Sequence, residues 1–174
     1  WAKHYGLSDI ETVTLSYGYA LAVTPLQLAR AYTSFANDGQ LITPTFLRAR
    51  NQVESAGQVM SAEVAQQILC MLETVVQAGG TAQSAEVDSF RVAGKTGTSQ
   101  KIGSDGRYVD DRHHAWFVGV APVSDPKLVM AVLIDESSGD LDGGGAVAAP
   151  VFARVMAGAL RLLGIVPDQL AEVG

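Results

Sequence analysis

The chain has 174 residues, of which 48% are apolar and 17% are charged, a composition typical of a folded domain with a hydrophobic core. Its net charge of −6 argues against nucleic acid or an anionic membrane surface as the main partner. The single cysteine, Cys70, excludes an internal disulfide, and no Cys/His cluster has zinc-ligand spacing, so no zinc site is predicted.

No run of about 18 apolar residues is present, and no secretory leader pattern precedes the first predicted helix. The chain starts at Trp1, and a helix-compatible segment follows almost at once. We therefore expect the N-terminus to have been cut from something longer.

Three helices are predicted, at residues 24–38, at residues 61–78, and from a start between residues 146 and 150 to Gly164. Thr24 is the N-cap of the first helix, Pro25 lies in its first turn, and Gln27 completes a capping box. Gly39 follows its last residue as a stop signal.

Three apolar runs, residues 90–98, 115–121 and 128–134, separate the second helix from the third. The last two runs barely alternate, which indicates strands covered on both faces. Only residues 122–127 join them, too few for a parallel crossover, so they are predicted to form an antiparallel hairpin. Ser104-Asp105-Gly106 marks the turn of a second hairpin. The predicted fold class is α+β, an antiparallel sheet with helices on both faces.

The segment with the clearest chemical meaning is Lys95-Thr96-Gly97-Thr98, hereafter the KTGT segment. On a strand, Thr96 and Thr98 point to one face while Lys95 and Gly97 point to the other. Gly97 leaves room for another backbone. Two hydroxyls, an ammonium group and an edge-strand N–H could together receive an anionic acyl substrate. The alternative is an ordinary edge strand with one solvated lysine.

Gly94-Lys95-Thr96 also resembles the end of a phosphate-binding P-loop. That motif requires glycine at position 89, where this chain has Ser89, and a helix directly after the threonine, which Gly97 disfavours. Nucleotide binding is therefore not predicted.

Several segments together resemble the end of a class B penicillin-binding protein, in order and in spacing. They are the KTGT segment and residues 116–122, 128–135, 143–145 and 148–152. Residues 15–29 match the same family, and Tyr17-Gly18-Tyr19 resembles its division (septal) type, since elongation-type relatives tend to have Gly-Gln-Gly there. The resemblance implies a serine β-lactamase/penicillin-binding-protein-like fold in which the three strands belong to a larger five-stranded sheet. It makes residues 1–167 the C-terminal portion of a transpeptidase domain. Residues 168–174, beyond the resemblance, are predicted to be a frayed tail.

The family uses three active-site elements, SxxK, SxN and KTG. This chain contains the third and no SxN. Ser124-Asp125-Pro126-Lys127 matches SxxK literally, but its proline and its position in a predicted hairpin turn identify a chance match. We therefore expect the chain to be inactive alone and its missing N-terminal part to supply the nucleophilic serine.

The resemblance also implies a role for each KTGT residue. Lys95 assists proton transfer around the nucleophile and faces the SxN serine, and the Thr96 and Thr98 hydroxyls bind the carboxylate of D-alanyl-D-alanine or of a β-lactam. The Thr98 N–H is one oxyanion-hole donor, and Gly97 keeps the strand open to substrate. The implied reaction is serine acyl transfer between peptidoglycan peptide stems, which needs no cofactor and no metal.

Implied partners are a septal glycan polymerase and other division proteins, and the implied location is the periplasmic face of the inner membrane, anchored by a missing segment. Two other functions on the same fold stay open: a β-lactam-binding sensor, and a hydrolase such as a carboxypeptidase or β-lactamase. Residues 17–29 favour the transpeptidase.

Two other groups of polar residues are predicted to lie outside the chemistry. His113 and His114 have no carboxylate placed by sequence spacing to orient them as a general base. Asp135, Glu136, Asp140 and Asp142 lack the EF-hand pattern and are interpreted as a solvated loop rather than a cation site. Trp116 and Phe117 are predicted to lie in the core.

Overall fold

A computed structural model describes residues 8–16, 18, 21–47, 54–103, 106–136 and 143–169. The helices are α1 (Asp9–Ser16), α2 (Pro25–Tyr32), α3 (Ala62–Glu73) and α4 (Ala149–Leu162), and the strands are β1 (Gln40–Ile42), β2 (Ser55–Gln58), β3 (Ala93–Ile102), β4 (Tyr108–Ala121) and β5 (Leu128–Asp135). A 3₁₀ turn, Gln83–Ala85, precedes β3, and a π-helical turn, Gly144–Ala148, leads into α4.

The main sheet has the order β3-β4-β5, and both strand pairs are antiparallel. Ala121 pairs with Leu128 next to the short connection between β4 and β5, which confirms the predicted hairpin. Ile102 pairs with Tyr108 at the end of the longer hairpin. Its turn is closed by the Gly103 N–H, which donates to the carbonyl of Arg107 at 2.8 Å, while predicted turn residues 104 and 105 lie outside the described residues.

Helices cover both faces of this sheet, as predicted. On one face, Phe152, Met156 and Leu160 of α4 are fully buried, and the rings of Phe152 and Phe117 meet edge to face with centroids 4.8 Å apart. On the other face, Leu69 of α3 packs with Val120 and with residues at the end of α2. Two layers of helix around one sheet account for the weak alternation of β4.

The start of α2 confirms the predicted capping box. The Gln27 N–H donates to the Thr24 hydroxyl at 3.2 Å, and the Thr24 N–H donates to the Gln27 side chain at 2.8 Å. The prediction that this helix continues to Asp38 is wrong. The helix ends at Tyr32, and the chain continues in tighter turns, in which the N–H groups of Ser34 and Phe35 donate to the carbonyls three residues earlier at 3.2 and 3.1 Å.

The other predicted boundaries differ by a few residues. Helix α3 ends at Glu73 rather than at residue 78, and turns follow it. The first predicted strand, residues 90–98, is shifted to Ala93–Ile102, because Val87 and Phe90 pair across a tight turn in which Ser89 has φ +65°. Helix α4 begins and ends within its predicted window.

Gly144–Leu162, the π-helical turn plus α4, is long and apolar enough to span a membrane by length and composition. Ala149, Phe152, Met156 and Leu160 are nevertheless completely buried under the sheet. This contact identifies α4 as a core helix.

Hydrogen bonds to the carboxylate of Asp168 hold the residues after α4 beside the sheet. Its two carboxylate oxygens accept from the backbone N–H groups of Arg91 at 2.7 Å and Ser124 at 3.0 Å. The Gln169 N–H donates to the Ser89 carbonyl at 3.1 Å. The first two residues of the predicted tail are therefore attached, and residues 170–174 lie outside the described part of the chain.

Candidate active site

The KTGT segment lies on β3, which is an edge of the main sheet within the described residues. Thr96 pairs with Phe117 of β4 and Thr98 pairs with Ala115, so the segment is held in register by a strand that is itself buried. Lys95 and Thr98 are exposed. The segment therefore lies on a strand, as predicted, and no helix follows Thr96, as a P-loop would require.

Both threonine hydroxyls of the segment face the structure that precedes α4. The Thr98 hydroxyl accepts from the Gly144 N–H at 3.4 Å, and the Thr96 and Thr81 hydroxyl oxygens are 3.2 Å apart. A Cβ at Gly144 would lie 1.9 Å from the Trp116 carbonyl oxygen, so glycine is required for this close approach. Thr81 was not predicted at the site, because fifteen residues separate it from Thr96.

Lys95 projects from the opposite face of β3, as the strand alternation predicts. Its ammonium group donates to the carbonyl of Thr96 at 2.9 Å. In the described part of the chain, no carboxylate lies within salt-bridge distance of Lys95. The site therefore combines an exposed cation with two hydroxyls on one edge strand, the groups expected to attract and bind a carboxylate.

Five charged or ionisable side chains from β3, β4 and the end of β5 meet farther along the sheet. We call these residues the three-strand ionic cluster: Lys101, Arg112, His114, Asp135 and Glu136. Lys101 Nζ is 2.7 Å from Asp135 Oδ1, His114 Nε2 is 3.2 Å from the same oxygen, and Glu136 accepts from both Arg112 and Lys101. Hydrogen bonds from Arg112 and Lys101 lower the pKa of Glu136 to about 2.

The cluster revises two expectations from the sequence. Asp135 and Glu136 are not a purely solvated loop, since cationic side chains neutralise them, while Asp140 and Asp142 lie outside the described residues. His114 does have a carboxylate neighbour, because it pairs across the strands with Asp135. Sequence spacing did not reveal this contact.

A cavity of about 580 Å³ lies at the other end of the structure, between the end of α3 and the start of β3. The guanidinium of Arg91 binds both carboxylate oxygens of Glu73 there, at 2.6 and 2.7 Å, and this contact raises the pKa of Arg91. None of the KTGT residues lines this cavity.

A family model, the penicillin binding protein transpeptidase domain, matches residues 2–157. The chain belongs to this family. Over 171 residues it is 44% identical to a probable peptidoglycan D,D-transpeptidase, PbpC, of Pseudomonas aeruginosa, covering 97% of the chain and 30% of that protein. Over 163 residues it is 39% identical to the peptidoglycan D,D-transpeptidase FtsI of Escherichia coli, covering 94% of the chain and 27% of FtsI.

Solved structures agree with this assignment. The apo transpeptidase (TP) domain of Burkholderia pseudomallei penicillin-binding protein 3 matches with a TM-score of 0.87 and 38% identity, over 95% of this chain and 50% of that one. A peptidoglycan glycosyltransferase of Burkholderia ambifaria matches with a TM-score of 0.82 and 37% identity, over 95% and 49%. The predicted family and fold class are confirmed, and the chain spans about half of the solved domains. The five-stranded sheet stays a prediction, since the described residues supply three of its strands.

Proposed function

We propose that this chain is the KTGT-bearing part of a serine peptidoglycan D,D-transpeptidase of the division type, which cross-links peptide stems and is acylated by β-lactams. The observation that carries the proposal is the KTGT segment on an edge strand, where an ammonium group without an ion-pair partner among the described residues and two threonine hydroxyls lie within four consecutive positions. The named relatives PbpC and FtsI support the reaction class.

In the proposed reaction, a serine hydroxyl from the SxxK element attacks the carbonyl carbon of the penultimate D-alanine. The serine proton is transferred to the departing D-alanine amine, and an amine of a neighbouring stem then attacks the acyl-enzyme and releases the serine. Lys95 supports the proton transfers, and the Thr98 N–H stabilises the negative charge on the carbonyl oxygen. Losing one donor of this kind typically lowers the rate about 100-fold to 1,000-fold.

The proposal includes the partners and the cellular location of the enzyme. Similarity to FtsI and the Tyr17-Gly18-Tyr19 sequence support a role in division, with a septal glycan polymerase and division proteins as partners. We place the enzyme at the periplasmic face of the inner membrane, held there by an anchor outside these 174 residues. No cofactor is required by the chemistry.

Labelling of the full-length protein with a fluorescent penicillin tests the proposal. We expect a stoichiometric acyl-enzyme on the SxxK serine that decays slowly, together with cross-linking of peptide stems. Rapid turnover of the penicillin would indicate a hydrolase, and acylation without processing of stems would indicate a sensor.

The 174-residue chain by itself is the matched control. It should acquire no penicillin adduct in an intact-mass measurement, because it has no SxN and its SxxK match begins at Ser124, in the exposed turn between β4 and β5. An adduct on Ser124 would contradict our assignment of the nucleophile.

A further inference from the structure

The pairing of β3 with β4 is interrupted just beyond the KTGT segment. Gln100 pairs with His113, but the next residue, Lys101, pairs with Val109. Three residues of β4, numbers 110–112, therefore have no partner on β3. Such a bulge bends the strand that contains it and interrupts the ladder of hydrogen bonds. Backbone pairing alone does not fix the end of this hairpin relative to the sheet.

The three-strand ionic cluster spans this interruption. Lys101 lies beyond the bulge, on β3, and reaches Asp135 at the end of β5 at 2.7 Å, although β4 lies between these two strands. Arg112, within the bulge, binds Glu136, which also accepts from Lys101. The Glu136 N–H donates to the His113 carbonyl at 3.1 Å. The cluster thus joins both sides of the bulge to Asp135, the last residue of β5, and to Glu136, which follows it.

Thr98 lies close enough to depend on this arrangement. It is three residues before Lys101 and two before Gln100, the last residue of the continuous register. The contact of its side chain with the turn before α4 is a long one, 3.4 Å from the Gly144 nitrogen. Only two pairs, Ser99 with His114 and Gln100 with His113, separate Thr98 from the bulge, so a shift of the hairpin end would reach the Thr98 N–H and hydroxyl through them.

We propose that the three-strand ionic cluster positions Thr98 for acylation by fixing the β3–β4 bulge against the end of β5. This inference rests on the proposed transpeptidase function. The members of the cluster are positioning residues, since they act through the strand and not on the substrate.

Because the cluster is partly exposed to solvent, its effect on the acylation rate can be measured separately from its effect on the stability of the fold. The side chains of Asp135 and Arg112 are 59% and 52% exposed, and those of Glu136 and Lys101 are 37% and 20% exposed. Each ion pair therefore includes a carboxylate that is open to solvent, and such pairs contribute little to the free energy of unfolding. Small displacements of catalytic groups can nevertheless lower rates greatly. Loss of the cluster should therefore reduce acylation while leaving thermal stability nearly unchanged.

The test uses the full-length protein and measures the second-order rate constant of acylation by a fluorescent penicillin, together with the Tm. Lys101→Met and Glu136→Gln are each expected to slow acylation about 10-fold, with Tm shifts below about 3 °C. Because both residues act in one network, the double variant should be no more than about 2-fold slower than the slower single variant. Lys101→Arg keeps the charge and should retain most of the parental rate.

Lys127→Met is the matched control. Lys127 forms an ion pair of the same length, 2.7 Å to Asp125, in the turn at the opposite end of β4 and β5. We expect this variant to react at the parental rate.

The outcomes separate failure of the proposed transpeptidase function from failure of the positioning role. A parent protein that forms no adduct contradicts the proposed function and, with it, this inference. If the parent is acylated and Lys101→Met and Glu136→Gln react at its rate, the positioning role alone is refuted. A rate loss that Lys101→Arg shares, accompanied by a lower Tm, would also refute it, because it would indicate a structural role.

Discussion

Replacing Thr98 by valine separates the side-chain hydroxyl from the backbone N–H at the same position. Valine keeps the β-branched shape that suits a strand, and the pairing of residue 98 with Ala115 is a backbone property. The Thr98 side chain is exposed, and among the residues that the structure describes its hydroxyl accepts one long hydrogen bond, 3.4 Å from the Gly144 nitrogen. We therefore expect the free energy of unfolding to change by less than about 1 kcal/mol.

The effect of Thr98→Val should appear as slower acylation by a substrate that carries a carboxylate. A hydrogen bond to a charged group contributes roughly 1.5 to 3 kcal/mol, so acylation by a carboxylate-bearing β-lactam should slow about 10-fold to 150-fold. An uncharged ester of the same β-lactam should be affected much less, since its weaker acceptor gains less from the hydroxyl.

The assay compares second-order acylation rate constants for the acid and the ester in the full-length protein. Ser99→Ala is the control, because it removes a neighbouring hydroxyl that points to the opposite face of β3. Equal losses for acid and ester in Thr98→Val would show that the hydroxyl does not recognise the carboxylate, and our assignment of the anion site to Thr98 would be wrong.

Three further predictions concern Lys95, Glu136 and Gly119. Lys95→Ala should slow acylation at least about 100-fold without lowering the Tm, and unchanged kinetics would remove Lys95 from the mechanism. The carboxyl of Glu136 should titrate with a pKa of about 2 in an NMR experiment. Because this pKa lies below the ordinary value of 4.5, the ionised carboxylate stabilises the folded state above about pH 4.5, and this stabilisation is lost as the pH falls toward 2. Gly119→Ala should lower the free energy of unfolding by about 1 to 3 kcal/mol, because a Cβ there would lie 2.8 Å from the Phe152 ring, whereas Gly158→Ala, with nothing within 4 Å, should not.

Local signals in the sequence predicted the elements that depend on neighbouring residues. The Thr24 capping box begins α2, and the short connection between β4 and β5 could join antiparallel strands alone. The KTGT segment was placed on its strand by the same kind of reasoning. The end of α2 was not predictable in this way, since the apolar stripe continues through Phe35 and Ala36, which pack against the core from turns and not from a helix.

The three-strand ionic cluster could not be predicted from the sequence alone. Lys101 and Glu136 are 35 residues apart, and their contact depends on the bulge in β4, which shifts the register by three residues. The hydrophobic pattern of the sequence does not indicate such a shift in register. Thr81 lies beside Thr96 for a similar reason, because the glycines before α4 allow close packing that no motif describes.

The measurement that tests the central claim most directly is a crystal structure of the full-length protein acylated by a carboxylate-bearing β-lactam. We predict that the acyl carbonyl oxygen accepts a hydrogen bond from the Thr98 N–H and that the β-lactam carboxylate lies within about 3 Å of a Thr96 or Thr98 hydroxyl. An acyl group bound away from the β3 edge, with Lys95 and both threonines facing solvent, would contradict the assignment of this chain as the KTGT wall of a transpeptidase site.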